Sequence, residues 1–322
     1  MIAGSGHFTP DRILTNADLE KIVDTSDQWI FERTGIRERH VRNPGETTSD
    51  FCYHASLQAL EDAGMPPADL DLILIGTVTG DMPFPATATI VQARLGAANA
   101  AAMDLSAACS GFLYGLALAD GMIAAGKYRN ILVIGAETLT SLTDWEDRNT
   151  CVLFGDGAGA VVVVPSNGKR GIISTYLGAD GRLTELLMCP GGGALHPTTH
   201  DTVDQKLHFL KMAGREVFLH AVKAMGDSAE RALAAANLTA KDIDLLIPHQ
   251  ANLRIIEATA KRLSLPREKV FVNIDRYGNT SSASIPIAFN EARRSGRLQP
   301  GMTCLMVVFG GGFTWASAVV RL

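Results

Sequence analysis

The chain has 322 residues, of which 47% are hydrophobic and 20% are charged, and its formal net charge at pH 7 is -5. Its length is sufficient to bury a large core, either in one domain or in two closely packed ones. The acidic balance argues against a nucleic-acid partner, because phosphate binding requires a concentrated excess of Lys and Arg.

The N-terminal residues and the cysteines favour a cytoplasmic protein. The chain starts without a basic segment followed by a long apolar run, and no stretch reaches about 18 uncharged apolar residues, so we expect no membrane insertion. The cysteines, at positions 52, 109, 151, 189 and 304, are odd in number and widely spaced, which is typical of a reducing compartment. No pair of Cys or His residues has the spacing of a zinc site, so we expect neither a metal nor a cofactor.

Short apolar runs rich in β-branched residues alternate with alanine-rich stretches along the chain. The apolar runs predict buried strands, and the alanine-rich stretches predict helices. In chain order, the predicted elements are a helix at 51–63, a strand at 70–78, a helix at 111–125, strands at 130–136 and 159–165, a helix at 215–236, a strand at 243–249, a helix at 252–263 and a strand at 303–312. This alternation predicts an α/β fold in which helices cover a largely buried sheet.

The chain contains a weak internal repeat. The same pattern, a predicted helix, a turn and a D-[LI]-D-L sequence at the start of a strand, occurs in residues 56–74 and 228–247. The two D-[LI]-D-L sequences are 173 positions apart. The same displacement sets Cys109 opposite Ser282. We interpret the pattern as a duplication that gives two similar halves, residues 1–170 and 171–322, with chance similarity in an Ala- and Leu-rich chain as the alternative.

Two glycine-rich segments lead to different expectations. Residues 190–208 are polar and show no period, so we expect a loop between the halves that acts as a lid or a binding loop. Residues 154–160, "FGDGAGA", are similar to a phosphate-binding loop, but no Gly-Lys-Ser/Thr follows them. A glycine-bearing turn between strands is therefore the favoured interpretation.

Cys109 is the candidate nucleophile. It lies in "DLSAACSG", where a predicted strand turns into a predicted helix, and the N–H groups at a helix start favour a thiolate. Small neighbours allow a substrate carbonyl to approach, and the Cys109 N–H could donate to the resulting oxyanion. The alternative is that Cys109 simply packs, which suits Cys52 on a helix and Cys151 and Cys304 in apolar strands better. Cys189, beside Pro and Gly residues, is the rival nucleophile.

The second half supplies polar partners for this thiol. His249 ends a predicted strand in "PHQAN", and Asn279 follows Gly278 in "GNTSSAS". α/β proteins assemble their sites at the carboxyl ends of strands and at helix starts. Taken alone, the first residue also suits a structural histidine and the second a turn residue.

Four motifs together carry a family resemblance. "DLSAACSG", "HQAN", "GNTSSAS" and "FGGGFTW", in this order and at these separations, resemble the motifs of the thiolase superfamily, and specifically of the 3-oxoacyl-acyl-carrier-protein synthase III family. The similarity runs from "IAGSG" through "TSDQWIFERTGIRER" and "TCVLFGDGAGA" to the last residues. It implies a homodimer with a thiolase-like fold, in which duplicated mixed five-stranded sheets and helices alternate in layers (αβαβα).

The resemblance also implies a reaction. The enzymes of this family start type II fatty acid synthesis: an acyl-CoA primer, here expected to be acetyl-CoA, condenses with malonyl-acyl-carrier-protein to give 3-oxoacyl-acyl-carrier-protein, CoA and carbon dioxide. The resemblance places the catalytic triad on Cys109, His249 and Asn279. It places the oxyanion hole on the N–H groups of Cys109 and Gly311. His249 and Asn279 would donate to the enolate left by decarboxylation, and such stabilisation requires no metal.

Further site residues follow from the same resemblance. It implies that Trp29 and Arg148 sandwich the adenine of CoA, and the full set expected to bind CoA is Trp29, Arg33, Thr34, Arg148, Gly214 and Asn252. The candidate walls of the acyl pocket are Phe84, Phe154 and Phe309, with Phe84 reaching the partner subunit's pocket. The helix at 252–263 would dock the acidic carrier protein through Arg254, Lys261 and Arg262, although Leu219 stands where the family often has a lysine.

The motifs do not support membership of the chain in two neighbouring families. Non-decarboxylating thiolases usually carry a second cysteine in the C-terminal glycine-rich motif, and "FGGGFTW" has none. Hydroxymethylglutaryl-CoA synthases use a glutamate near the position of Val78, and Asp81 is the nearest acid. Two alternatives stay open: a specialised relative that condenses a longer or aromatic acyl-CoA, and a non-catalytic subunit that binds acyl-CoA or carrier protein.

Overall fold

A computed structural model describes residues 1–166, 168 and 170–322. The strands in this part of the chain are β1 (Ile2–Phe8), β2 (Ile13–Thr15), β3 (Glu38–His40), β4 (Leu72–Gly76), β5 (Ala101–Leu105), β6 (Ile131–Thr138), β7 (Asp156–Val163), β8 (Gly171–Ala179), β9 (Leu187–Met188), β10 (Lys211–Met212), β11 (Leu245–Pro248), β12 (Thr303–Gly310) and β13 (Thr314–Arg321). The α-helices are α1 (Asn16–Leu19), α2 (Asp27–Thr34), α3 (Thr48–Ala63), α4 (Thr87–Leu95), α5 (Gly111–Ala124), α6 (Arg148–Cys151), α7 (His200–Asp204), α8 (Gly214–Ala235), α9 (Leu253–Arg262), α10 (Ile274–Tyr277) and α11 (Ser284–Arg294).

The first sheet has five strands in the order β1-β7-β6-β4-β5. β4 runs parallel to β5 and β6, whereas β7 is antiparallel to β6 and β1. β4, β6 and β7 are buried along their whole length. Continuous apolar runs form these strands because helices cover both faces of the sheet.

The second sheet has four strands, in the order β11-β12-β13-β8, so the expectation of five strands is wrong for this half. The place of the fifth strand is occupied by a single parallel bridge between Val270 and Leu246. Three residues later, the N–H of Asn273 donates to the side-chain oxygen of Gln250 at 3.0 Å rather than to a strand. The next residue already begins α10.

The two halves repeat the same order of elements. β4 and β11 begin 173 residues apart, as do the 3-10 helices Ala108–Ser110 and Ser281–Ala283. The helices that follow them, α5 and α11, begin with the same displacement. Each sheet also has its two antiparallel partners on the same side, β7 and β1 in the first and β13 and β8 in the second.

Helices and sheets alternate in five layers, which confirms the expected architecture. α3 packs on one face of the first sheet, α5 and α11 lie between the sheets, and α8 packs on the outer face of the second. A large apolar core joins the central helices to both sheets. None of the helices in the described ranges is long and apolar enough to cross a membrane.

The predicted helices correspond to α3, α5, α8 and α9, but some local expectations are wrong. Cys151 lies on the short helix α6 rather than in a strand. The glycines at 157 and 159 lie within β7 rather than in a turn; at 159, an added Cβ would approach the backbone N of Ile287 to 2.7 Å. The segment 190–208 is not wholly irregular, because it contains α7.

Candidate active site

A cavity of about 770 Å3 is lined by residues of both halves. Cys109 comes from the first half, and His249, Asn279 and Gly311 come from the second. Most other lining side chains are apolar, such as Met225. The structure therefore brings the expected nucleophile and its partners together around one largely apolar space.

Cys109 lies in the 3-10 helix that immediately precedes α5. The preceding residue, Ala108, has a left-handed φ of 47°. β12 ends directly against this turn: an added Cβ on Gly310 would lie 2.7 Å from the Cys109 N, so only glycine allows the approach. The N–H groups of Cys109 and Gly311 both lie close enough to the sulfur to stabilise its charged form. This pair is the donor arrangement that an oxyanion hole requires.

The expectation that the helix start lowers the pKa of Cys109 is wrong for the unliganded protein. Burial raises the pKa of this thiol to about 11, and this effect is larger than the opposing effect of the hydrogen bond from Ser281. The charge of Glu137 raises the pKa further. Cys109 is therefore a thiol at neutral pH, and it must lose its proton during the reaction.

His249 follows β11 and is buried. Its Nδ1 lies 2.6 Å from the Ser284 Oγ, which also accepts a hydrogen bond from the Gln250 N–H at 3.4 Å. The Ser284 hydroxyl hydrogen is thus available to Nδ1. Burial lowers the pKa of His249 to about 3, so the ring is neutral. With the Ser284 hydroxyl as the donor to Nδ1, the ring hydrogen is assigned to Nε2. His249 can therefore offer an N–H donor to the cavity.

Asn279 is fixed through both its backbone and its side chain. Its N–H donates to the Leu153 carbonyl at 2.8 Å, and its carbonyl accepts from the Gly155 N–H at 3.0 Å. Its Oδ1 accepts from the Ser281 N–H at 2.9 Å. Because the oxygen of the amide is engaged, the amide nitrogen is the atom left to face a ligand.

The residues expected to hold the adenine of CoA form a compact cluster. The guanidinium carbons of Arg33 and Arg148 lie 4.4 and 4.9 Å from the centre of the Trp29 ring. Asn252 donates to the Arg33 carbonyl at 2.9 Å and also lines the cavity. The cluster therefore adjoins the cavity, although its aromatic ring does not line it.

Two other residues of the expected CoA set differ in their positions. Gly214 begins α8 and lines the cavity, as expected of a channel residue. Thr34 is buried at the end of α2, where its hydroxyl donates to the Ile30 carbonyl at 2.7 Å and accepts from the Ile36 N–H at 3.0 Å. Its side chain is thus engaged within the protein, and a direct contact of this hydroxyl with a ligand is not supported.

The phenylalanines expected in the acyl pocket do not all line the cavity. Phe154 and Phe309 are buried and line the cavity. Phe84 does not line the cavity of its own chain and is 84% exposed. Its neighbours Met82 and Pro83 do line it, so Phe84 projects outward beside the cavity.

The three basic residues expected on α9 are all exposed but differ in their contacts. The Arg254 guanidinium lies 5.6 Å from the ring of Phe218, which lines the cavity. Arg262 donates to Glu230 at 2.9 Å and to Asp227 at 2.5 Å. These acids of α8 partly compensate the charge of Arg262 within the chain.

Sequence reasoning missed three polar residues that support the site: Glu137, Ser281 and Ser284. The signal for Glu137 is an acid at the end of an otherwise apolar strand, "ILVIGAET". The two serines belong to a motif that is rich in serine, so nothing in the sequence separates them from their neighbours. The described residues hold no group of three or more His, Cys, Asp or Glu side chains arranged for a metal ion.

Comparisons with known proteins point to the same family in both halves of the chain. Residues 233–322 match the family described as 3-oxoacyl-acyl-carrier-protein synthase III C terminal, and residues 103–181 match 3-oxoacyl-acyl-carrier-protein synthase III. The β-ketoacyl-acyl-carrier-protein synthase III of Caldanaerobacter subterraneus subsp. tengcongensis is 56% identical over 320 residues, which are 99% of this chain and 97% of that protein.

Solved structures show the same similarity. The crystal structure of 3-oxoacyl-acyl-carrier-protein synthase III from Aquifex aeolicus is 48% identical with a TM-score of 0.92, and the match covers 100% of this chain and 99% of that one. The β-ketoacyl-acyl-carrier-protein synthase III of Thermus thermophilus is 45% identical with a TM-score of 0.93, with 100% and 98% covered.

Proposed function

The chain belongs to the β-ketoacyl-acyl-carrier-protein synthase III family of condensing acyltransferases, and we propose that Cys109, His249 and Asn279 carry its reaction, with acetyl-CoA as the primer. The family joins an acyl-CoA primer to malonyl-acyl-carrier-protein at the start of fatty acid synthesis. The observation that carries the assignment is the cavity that Cys109 shares with His249 and Asn279.

In the first half-reaction, the Cys109 sulfur attacks the thioester carbon of the primer. A carbon–sulfur bond to the enzyme forms, the bond to CoA breaks, and the thiol proton of Cys109 ends on CoA. The N–H groups of Cys109 and Gly311 stabilise the oxyanion that develops. The pantetheine arm lies beside Gly214 and Asn252, and the adenine lies against Trp29.

In the second half-reaction, malonyl-acyl-carrier-protein loses carbon dioxide and leaves an enolate. The Nε2–H of His249 and the Nδ2–H of Asn279 donate to the enolate oxygen. The enolate carbon then attacks the acyl group on Cys109. A carbon–carbon bond forms, and the Cys109 thiolate departs and regains a proton.

We propose a cytoplasmic homodimer in which a second copy covers the exposed apolar surface beside the cavity. This surface contains Val78, Met82, Phe84 and Met103, whose exposed fractions are 42, 46, 84 and 38%. β5 ends the order of the first sheet, so one edge of this strand pairs with no other strand among the residues that the structure describes. Sedimentation of the wild type and of Phe84→Asp tests the assignment: the wild type should be dimeric, and the charged variant should dissociate.

The chemical assignment is tested by following the two half-reactions separately. Asn279→Ala should still form acyl-enzyme from radiolabelled acetyl-CoA, whereas it should release carbon dioxide from malonyl-acyl-carrier-protein about 10²- to 10³-fold more slowly. Wild-type decarboxylation by this variant would refute the role of Asn279. A wild-type enzyme that binds acetyl-CoA without forming acyl-enzyme would instead be a non-catalytic binding subunit.

The primer is tested by a kinetic panel of straight, branched and aromatic acyl-CoAs, with malonyl-acyl-carrier-protein as the extender. We expect the highest kcat/KM for acetyl-CoA, the primer that the family resemblance implies, with the buried rings of Phe154 and Phe309 in the wall of the cavity that holds Cys109. A preference for a longer or aromatic acyl-CoA would identify a specialised relative of secondary metabolism.

A further inference from the structure

Glu137 is a fully buried acid at the end of β6, and the reaction described above makes no use of it. Burial raises the pKa of its carboxyl group to about 7. Placing a carboxylate in a core is costly unless hydrogen bonds compensate for the lost water. Packing alone therefore gives no reason for an acid at this position.

Two sets of donors hold the Glu137 carboxylate. Its Oε2 accepts from the segment that follows β4: from the Thr79 hydroxyl at 2.6 Å, the Val78 N–H at 3.2 Å and the Thr77 hydroxyl at 3.3 Å. Its Oε1 accepts from the Ser281 hydroxyl at 3.1 Å. Glu137 thus joins a cavity wall of the first half to the turn of the second half that carries Asn279.

Ser281 transmits this contact to the amide of Asn279. The Ser281 N–H reaches the Asn279 Oδ1 at 2.9 Å from a backbone with a left-handed φ of 49°. This conformation is unfavourable for a residue with a Cβ, so other contacts must hold it. The hydrogen bond from the Ser281 side chain to Glu137 is such a contact.

We propose that Glu137 is a positioning residue for decarboxylation: through Ser281 it holds the Asn279 amide with the oxygen turned away from the substrate and the nitrogen toward it. An asparagine amide rotated by half a turn would present its oxygen, which repels an enolate. This inference rests on the proposed function, in which Asn279 donates to that enolate.

The same contacts predict a different effect on acylation. The Ser281 hydroxyl lies 3.1 Å from the Glu137 Oε1 and also forms a hydrogen bond that lowers the pKa of Cys109, so its one hydrogen is shared between the two groups. The charge of Glu137 also raises the pKa of Cys109. Loss of the Glu137 charge should therefore make the thiolate easier to form, so acylation should not slow down.

The experiment removes the hydrogen bond between Ser281 and Glu137 by substituting Ser281. Ser281→Ala keeps the backbone N–H that donates to Asn279 but loses the hydrogen bond from the Ser281 hydroxyl to Glu137. It should slow the release of carbon dioxide from malonyl-acyl-carrier-protein about tenfold, which corresponds to the loss of that one hydrogen bond. Acyl-enzyme formation from acetyl-CoA should slow less than decarboxylation, because the Ser281 hydroxyl is one of three donors beside the Cys109 sulfur, and the N–H groups of Cys109 and Gly311 stay in place. The double variant Ser281→Ala, Asn279→Ala should be no slower than Asn279→Ala alone, because Ser281 acts through that amide.

Two further variants separate positioning from other roles of the carboxylate. Glu137→Gln can donate its amide N–H to the Ser281 oxygen and still accept from Thr79, so it should retain decarboxylation at close to the wild-type rate. Thr77→Val removes a hydrogen bond from the other oxygen of Glu137 and is the matched control. It should leave the ratio of the two half-reactions unchanged.

The outcomes distinguish this inference from the function on which it rests. The positioning role would be overturned if Ser281→Ala slowed both half-reactions equally. It would also be overturned if the double variant decarboxylated about tenfold more slowly than Asn279→Ala, which is the full effect of Ser281→Ala alone. If Glu137→Gln is as slow as Ser281→Ala, the positioning role is also overturned. The reaction would then depend on the ionisable proton of Glu137 rather than on the hydrogen bond between Glu137 and Ser281. If Asn279→Ala itself decarboxylates normally, the proposed function fails first and this inference fails with it.

Discussion

Ala108 and Ser281 have almost the same left-handed backbone, with φ of 47° and 49°, although they lie 173 residues apart. Each begins a 3-10 helix that leads directly into an α-helix between the two sheets. The residue after each is therefore presented at a helix start: Cys109 in one half and Ser282 in the other. The Ser282 hydroxyl accepts from the Phe112 N–H at 2.9 Å, so the second turn supports the first turn of α5, which follows the nucleophile.

This contact predicts a stability effect of Ser282→Ala. The substitution leaves the buried Phe112 N–H, in the first turn of α5, without this acceptor. We expect the free energy of unfolding to fall by about 1–3 kcal/mol, the usual cost of an unsatisfied buried donor. Urea unfolding at neutral pH measures it. Unchanged stability would mean that another group accepts from Phe112 in the variant.

The place of acylation is a second prediction. Brief treatment with acetyl-CoA followed by peptide mapping should find one acetyl group on Cys109, because its sulfur lies beside the N–H groups of Cys109 and Gly311. Cys189→Ser is the matched control, since Cys189 also lines the cavity. It should acylate normally. Label on Cys189 that survives Cys109→Ser would contradict the assignment.

The proposed catalytic groups can be predicted from the sequence because each lies in a local motif that resembles those of the family. Cys109 precedes a predicted helix, and His249 and Asn279 follow predicted strand or turn signals. Glu137 was missed because its role depends on Ser281, 144 positions away, and Ser284 because it contacts His249, 35 positions away. Contacts of this kind are created by folding and leave no periodic signal in the chain.

The contacts of Arg262 could not be predicted for the same reason. Its position relative to Arg254 and Lys261 predicts a shared basic face, but the spacing carries no information about α8. Only the packed structure shows that Asp227 and Glu230 of that helix bind the Arg262 guanidinium. Likewise, the repeat does not predict that Val270 forms only a single bridge to Leu246 where the first half has a fifth strand.

The pKa of Glu137 predicts how stability varies with pH. An unfolded chain releases this proton near pH 4.5, whereas the folded protein holds it until about pH 7. The folded state thus binds more protons between these values, and stability from this group is complete below pH 4.5 and is lost as the pH rises through 7.

The glutamine side chain of the Glu137→Gln variant cannot ionise, so the variant should not lose this stability as the pH rises. Relative to the wild type, its free energy of unfolding should rise by about 3 kcal/mol between pH 4.5 and pH 8. The neighbouring thiols Cys52 and Cys109 have raised pKa values and stay neutral over this range, so they should not contribute. Urea titrations at four or more pH values provide the measurement. A difference that is independent of pH would show that the folded carboxyl group ionises normally.

Recognition of the carrier protein is the last prediction. Arg254 and Lys261 are exposed on α9 beside the cavity, where positive charge would attract an acidic partner. Reversing both charges, with Arg254→Glu and Lys261→Glu, should raise KM for malonyl-acyl-carrier-protein about tenfold at low salt, because charges at a rim mainly steer association. Acylation by acetyl-CoA should hardly change.

The matched control for this surface is Lys127→Glu with Arg129→Glu, which alters the net charge equally. These residues are exposed and do not line the cavity, so KM for both substrates should stay unchanged. Added salt should shrink the effect of the α9 variant because it screens exposed charges. If the α9 variant loses both half-reactions equally, that helix supports the cavity itself, and the partner binds elsewhere.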